Sequence, residues 1–278
     1  MPELPEVELG RKIATRVSAG RTIDRAECDD DDIVFDGVTP DEVKRTIEGR
    51  RVESVERWGK QLWFEFDRGP ALLVHFGMTG AFRVPDAAPL RLESSPKELD
   101  TGWPPKFVKL LLTFDDGGVL AFTNSRRFGR IRLRDDPRGT PPVSELGFDP
   151  LTALPSPEEF DALLERRSGT LKGLLLQQSF AAGVGNWIAD EVLYHAKLAP
   201  ARKVTSLDRA DRRRLRSKLR AVIERTVQVD ADKNRLPRGW LFHRRWGKDP
   251  AARTADGEPI TIETIAGRTT AWVPTVQR

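Results

Sequence analysis

Apolar positions fall into short alternating runs over the first half of the chain and into helical repeats over the second. Leu9, Ile13 and Val17 recur every four residues and predict an opening helix. Residues 22–27 and 33–35 read as strands around the acidic run 29–32, which is expected to be a solvated loop. Thr39-Pro40-Asp41-Glu42 is a capping box with proline at the first helical position, and Gly49 is placed to end that helix. Val52–Trp58 and Gln61–Phe66 predict a hairpin in which Leu62, Phe64 and Phe66 alternate with Gln61, Trp63 and Glu65, with Lys60 at the tip. The strand at 71–76 ends in His75-Phe76-Gly77-Met78-Thr79-Gly80, whose glycines suggest a loop approaching something closely. Residues 83–105 are polar and proline-rich, as in a long surface loop. Val108–Phe114 and Val119–Thr123 then form a second hairpin across Asp115-Asp116-Gly117-Gly118. The basic-aromatic loop Asn124-Ser125-Arg126-Arg127-Phe128-Gly129 and a strand at 130–133 follow. So many short strands predict an antiparallel sandwich.

Residues 135–155 hold five prolines and two glycines and read as a linker. Beyond it Ser156-Pro157-Glu158-Glu159 is another capping box, and the period becomes helical through Phe160, Leu163 and Leu164, then Leu171, Leu174 and Leu175. Gly183-Val184-Gly185-Asn186 interrupts two helices, and Ile188, Ala189, Val192, Leu193 and Ala196 form the apolar face of the second. A helix over about 207–227 buries Leu215, Leu219, Val222, Ile223 and Thr226 and leaves Arg212, Arg213, Arg214, Arg216, Lys218 and Arg220 outside. Strands at 260–264 and 269–273 flank Ile265-Ala266-Gly267-Arg268, which puts an arginine in a turn. The expected class is α+β: a sandwich over 2–134, a linker over 135–155, a helical domain over 156–228 and a terminal hairpin over 229–278.

Composition narrows the partners. Of 278 residues, 38% are hydrophobic and 32% charged, and no apolar run approaches the roughly 20 residues of a membrane helix. No secretory signal opens the chain, so an intracellular protein without membrane partners is expected. The one cysteine, Cys28, excludes an intramolecular disulfide and a Cys-rich zinc site, and reads as a small buried hydrophobe. Residues 201–278 carry 19 Lys and Arg against 9 Asp and Glu, a surplus of ten, so residues 1–200 stand at −6 within an overall +4. A basic half beside an acidic one is how a polyanion footprint looks, although a solvated basic face gives the same bias.

The chemistry sits in the first eight residues, Met1-Pro2-Glu3-Leu4-Pro5-Glu6-Val7-Glu8. Removal of Met1 would leave Pro2 a free secondary amine, and α-amino groups titrate near pH 7.7–8.0, so a nucleophilic fraction is present at neutral pH. Attack on an aldehyde or on a sugar C1′ gives an iminium, a cation at every pH and a lasting electron sink. Glu3 could move a proton, and Glu6, one helical turn on, could share the site. Pro and Glu are also ordinary helix-start residues, and the motif alone does not separate the readings.

The same residues resemble the opening of the formamidopyrimidine-DNA glycosylase and endonuclease VIII family, bifunctional enzymes that excise damaged bases and cut the strand. The resemblance runs from Pro2 to Arg278. Lys60 after Gly59 resembles the family's hairpin lysine, and the segment from Gly183 to Glu191 resembles the helix–two-turns–helix signature that grips the DNA backbone. It implies Pro2, Glu3 and Lys60 as catalytic, Glu6 as support, and Glu191 as an orienting carboxylate. It further implies Met78, Arg126 and Phe128 as the wedge that fills the vacated stack, and His75, Lys172, Asn186 and Arg268 as phosphate contacts. Damaged double-stranded DNA is the implied partner, with a monomeric protein and no cofactor. Val273 and Val276 stand where family members commonly carry a final cysteine pair, so the end of the chain resembles the zincless-finger, plant-type branch. Packing around Trp272 and Val273 would replace the metal. Residues 228–239 are short and lack the glycine/serine/threonine-rich loop that caps 8-oxoguanine in bacterial-type enzymes. Formamidopyrimidines, hydantoins and abasic sites are therefore the expected substrates, with weak action on 8-oxoguanine. The alternatives are an endonuclease VIII-like enzyme for oxidised pyrimidines and a non-catalytic damaged-DNA-binding protein.

Overall fold

The computed structural model describes residues 1–85, 101–247, 249 and 251–278, in two compact units, Met1–Glu145 and Leu146–Arg278. In the first unit helix α1 (Leu4–Ser18) precedes β1 (Ile23–Cys28) and α2 (Pro40–Ile47), which starts on the expected Thr39 capping box. Strands β2 (Val52–Trp58), β3 (Gln61–Phe66), β4 (Ala71–His75) and β8 (Arg130–Arg134) form one antiparallel sheet. Strands β1, β6 (Val108–Phe114), β7 (Val119–Thr123) and β5 (Ala81–Arg83) form the other. The two sheets share one core. Phe64, Leu72 and Val74 meet Leu110, Leu112 and Phe122 there, with Val7 and Ala14 of α1 beside them. Trp63 and Leu73 point to the opposite face, where Val143 covers them, so the β3 alternation is apolar on both sides.

Two readings of this unit differ. The buried stripe of α1 runs through Gly10, Ala14 and Ser18, while Leu9, Ile13 and Val17 are only partly buried. Close approach explains it: a Cβ on Gly10 would lie 2.5 Å from the Phe76 ring. Residues 33–35 form no strand but a turn closed by Asp31, with one isolated bridge between Phe35 and Ile131. Within the expected loop at 83–105, residues 86–100 lie outside the described residues.

The second unit begins inside the expected linker, whose two parts belong to different units. Helices α3 (Pro157–Glu165), α4 (Leu171–Leu176), α5 (Asn186–Ala196) and α6 (Arg209–Gln228) follow. Asp208 caps α6 by accepting from Asp211 N at 2.7 Å. The hairpin β9 (Thr261–Ile265) and β10 (Arg268–Trp272) turns on Ala266 and Gly267, both at positive φ, so Arg268 opens a strand instead of sitting in the turn. Leu241, Ile260, Ala271 and Val273 form its core with Tyr194 of α5. The α+β order expected from the sequence, sandwich then helices then hairpin, is the one observed.

Candidate active site

Helix α1 begins where the first two carboxylates of the chain meet. Glu3 is its N-cap, in extended conformation, and donates its N–H to Glu6 Oε2 at 2.9 Å. Both side chains are buried. Burial pushes the Glu6 carboxyl up to about 7, and the neighbouring Glu3 charge adds to the rise. A carboxyl in that range exchanges its proton at neutral pH, as a general acid–base group must. The terminal amine, here that of Met1, is lowered by burial, while Glu6 and Glu3 pull it up and Lys60 and Arg126 push it down. Amine, two carboxylates, hairpin lysine and loop arginine thus act on one another. Pro2 is buried in this cluster. Its nitrogen is an amide until Met1 is removed, after which the terminal amine is that of Pro2, one residue along the same stretch.

Lys60 is carried by the tight β2–β3 turn, made possible by Gly59 at φ 58°. Arg57 ties that turn to α1. Its Nε donates to Glu8 Oε2 at 2.9 Å and its Nη1 to the Gly59 carbonyl at 3.0 Å, with both ion-pair partners buried. Arg11 also holds Glu8, at 2.7 Å. His75 ends β4, where its Nδ1 accepts from Gly77 N at 3.2 Å. Burial, then the charges of Lys60, Arg132 and Arg130, push its imidazole down to about 4. It is neutral at physiological pH, and with Nδ1 accepting, its proton belongs on Nε2, an uncharged donor.

Two loops are stitched together beside this strand end. Asn124 is buried; its Nδ2 donates to the Phe76 carbonyl at 2.9 Å and its Oδ1 accepts from Gly129 N at 3.0 Å. Thr79 Oγ1 accepts from Ser125 Oγ at 3.2 Å and from Arg126 N at 3.3 Å. Gly77 must be glycine: at φ 63°, a Cβ would lie 2.3 Å from the Phe128 carbonyl carbon. The pair presents half-buried Met78, exposed Arg126 and Phe128, a phenylalanine left 49% exposed with the Arg126 guanidinium 5.3 Å from its ring centre. An aromatic ring so exposed on a pinned loop is available to a partner.

In the second unit, Lys172 is fully buried. Its Nζ donates to the Asn186 carbonyl at 2.9 Å and to Asp190 Oδ1. Asp190, also buried, takes Arg245 Nη2 at 2.5 Å and the Ala271 N–H at 3.2 Å on its other oxygen. Asn186 is the first residue of α5, and its Nδ2 donates to the Thr269 carbonyl at 2.8 Å. Arg268 is exposed on the hairpin. Glu191 Oε1 and Oε2 accept from Leu241 N and Phe242 N at 3.0 and 2.6 Å, fixing the turn after α6.

Comparison with known proteins decides the lineage. The formamidopyrimidine-DNA glycosylase N-terminal domain matches residues 1–131, and the H2TH domain of the same enzymes matches residues 146–237. The chain belongs to the formamidopyrimidine-DNA glycosylase family. It is 40% identical over 278 residues to the formamidopyrimidine-DNA glycosylase of Arabidopsis thaliana, covering 100% of this chain and 71% of that protein. With a Thermus thermophilus enzyme of the same name it shares 34% over 291 residues, covering 100% and 98% of the two chains. Its fold matches the crystal structure of the MutM (Fpg) protein from Thermus thermophilus with a TM-score of 0.75 at 33% identity, covering 99% of this chain and 98% of that one. The Lactococcus lactis enzyme, solved non-covalently bound to DNA containing an AP site, matches in fold with a TM-score of 0.80 at 24% identity, covering 99% of each chain. The chain is accordingly an enzyme of the DNA glycosylase and AP lyase class.

Pro2, Glu3, Glu6, Lys60 and Arg126 come together, and His75, Met78 and Phe128 stand on the end of β4 and its adjoining loops. Lys172 departs from the phosphate contact expected of it: its charge is met inside the protein, where it sets the start of α5. The acidic run reads as a solvated loop, yet its Asp31 is 2% exposed and bound by Arg127 and Lys109. Arg57, Asp190 and Arg245 carry no signal in the residue pattern, because each matters through partners distant in the chain.

Proposed function

We propose that the protein excises oxidised purines, above all formamidopyrimidines and hydantoins, and cleaves the strand at the resulting site. The observation that carries this reading is the terminal amine placed among two buried carboxylates, one with its pKa near 7. Pro2, freed of Met1, attacks C1′ as the base leaves with a proton, and the amine's own proton passes to Glu6. The deoxyribose ring then opens as O4′ takes a proton from Glu3, and the freed nitrogen lone pair forms the iminium. Loss of the C2′ proton expels the 3′ phosphate, and a second elimination expels the 5′ phosphate. Glu6 accepts and returns protons next to the amine, and Lys60 adds positive charge for the phosphates or the departing groups. Met78, Arg126 and Phe128 fill the gap left by the flipped nucleotide, matching a Met, a cation and a ring to a wedge in a base stack. Asn186 and Arg268 set register on the backbone.

The lesion preference rests on the turn after α6. Two short 3-10 turns, Lys233–Arg235 and Leu241–His243, follow that helix closely, and Glu191 holds the second of them, which leaves little chain for a long cap over the base. A panel of duplexes carrying formamidopyrimidine, hydantoin, abasic, 8-oxoguanine and oxidised-pyrimidine lesions tests the proposal. Excision of the first three well above 8-oxoguanine is expected. Comparable turnover of 8-oxoguanine opposite cytosine, or a preference for oxidised pyrimidines, would defeat it.

A further inference from the structure

We propose that Asp31 is a positioning residue for the duplex-opening step: through Arg127 it locks the 124–129 loop in the shape that offers Arg126 and Phe128 to the base stack. The proposal rests on the reading of that loop as the wedge.

Asp31 lies far from the loop in sequence and is almost completely buried. Arg127 Nε approaches its two oxygens at 3.0 and 2.9 Å, and Arg127 Nη2 comes to Oδ1 at 2.9 Å. Lys109 Nζ sits 2.8 Å from Oδ2, and Ile33 N and Val34 N donate to Oδ1 at 3.1 and 3.2 Å. Burial alone would raise this carboxyl, but hydrogen bonds from Arg127 and Lys109 outweigh it and hold the group well below the usual carboxylate range. It is ionised at neutral pH.

Arg127 itself has φ 56°. The left-handed region is unfavourable for an arginine, and glycine or asparagine would occupy it more easily. An arginine there needs a hold from outside the loop, and buried Asp31 supplies most of it, with Asp32 Oδ1 also 3.3 Å from Arg127 Nη2. Other anchors hold the loop backbone: Asn124 Oδ1 accepts from Gly129 N, Thr79 Oγ1 accepts from Arg126 N, and Arg130 Nη1 donates to the Arg127 carbonyl at 3.1 Å. Arg127 fixes its tip, between the two exposed side chains that would enter the duplex. Plain electrostatics predicts the reverse effect for Asp31, because deleting a negative charge from a DNA-binding protein should tighten binding.

The test compares Asp31→Asn and Arg127→Gln with wild type on two substrates: lesion-containing duplexes, and single-stranded DNA with an abasic site, which has no stack to wedge open. Borohydride trapping reads the second. Expected is at least a roughly tenfold loss of kcat/KM on duplex, and trapping on the single strand within about twofold of wild type. Arg127→Asn placed in the Asp31→Asn background should recover part of the duplex activity, since asparagine accepts the left-handed backbone without the clamp. Circular dichroism establishes that the variants are folded; should Asp31→Asn not fold, Arg127→Gln, which leaves Asp31 paired with Lys109, decides alone. Wild-type duplex activity in the folded variants, tighter and faster action in Asp31→Asn, or equal losses on both substrates would overturn the proposal. Failure of wild type itself to trap on single-stranded abasic DNA would instead strike the functional reading beneath it.

Discussion

Replacing Glu6 with glutamine should turn a pH-dependent part of the stability into a constant one. Burial raises the Glu6 carboxyl from 4.5 to about 7 in the folded protein. The sign follows from linkage: a raised folded pKa contributes stability that is complete below pH 4.5 and is lost as pH climbs through 7. A shift of that size corresponds to about 3 kcal/mol between the two limits. The substituted glutamine is neutral throughout, and its side-chain oxygen can still accept the Glu3 N–H. Wild type and E6Q should therefore lie closest in stability at about pH 4.5, and E6Q should be the more stable by up to about 3 kcal/mol at about pH 8.5. Urea unfolding at half-unit steps of pH, with amide exchange of the β2–β4 core as a local readout, measures the divergence. Parallel curves across that range, or a variant that loses ground as pH rises, would refute the reasoning. Glu6 charge also raises the terminal amine, so E6Q should move the acidic limb of abasic-site cleavage to lower pH.

Other substitutions separate internal from DNA-facing charge. Lys172→Met leaves buried Asp190 with one cation fewer and should cost about 3–5 kcal/mol while leaving the salt dependence of DNA binding unchanged; Arg268→Ala should do the opposite, lowering the slope of log K against log salt by about 0.9. Gly77→Ala drives a methyl into the Phe128 carbonyl and should abolish duplex excision in a protein that still folds, checked by kcat/KM beside a melting curve. Chelators should change neither the melting temperature nor the activity, because Leu241, Ile260, Ala271 and Val273 pack the terminal hairpin and Asp190 holds its Ala271 N–H; loss of either property in excess chelator would show that a metal had been missed.

What can be read from sequence is mostly local. The Thr39, Ser156 and Asp208 caps all start helices, since a cap is settled by residues three apart, although only the first two stand out as boxes in the residue pattern. The N-terminal carboxylates are legible for the same reason. Long-range pairing is not. Nothing near Asp31 marks it as the partner of Arg127, 96 positions later, and an acidic run normally stays in water. The family resemblance implies Lys172 as a phosphate contact, but only the fold reveals that its ammonium is taken up by Asp190 and the Asn186 carbonyl. In α1 the hydrophobic period points to Leu9, Ile13 and Val17, whereas close packing of the helix on Phe76 selects Gly10 and Ala14. The three-residue strand β5 is too short to leave a period.

The most direct measurement is borohydride trapping of the purified enzyme on an abasic-site duplex, followed by intact mass and peptide mapping of the adduct. A chain lacking Met1, with the sugar remnant reduced onto the nitrogen of Pro2 and no adduct from Pro2→Gly, is the predicted result. Met1 retained in active protein, or the remnant mapped to Lys60 or elsewhere, would contradict the account.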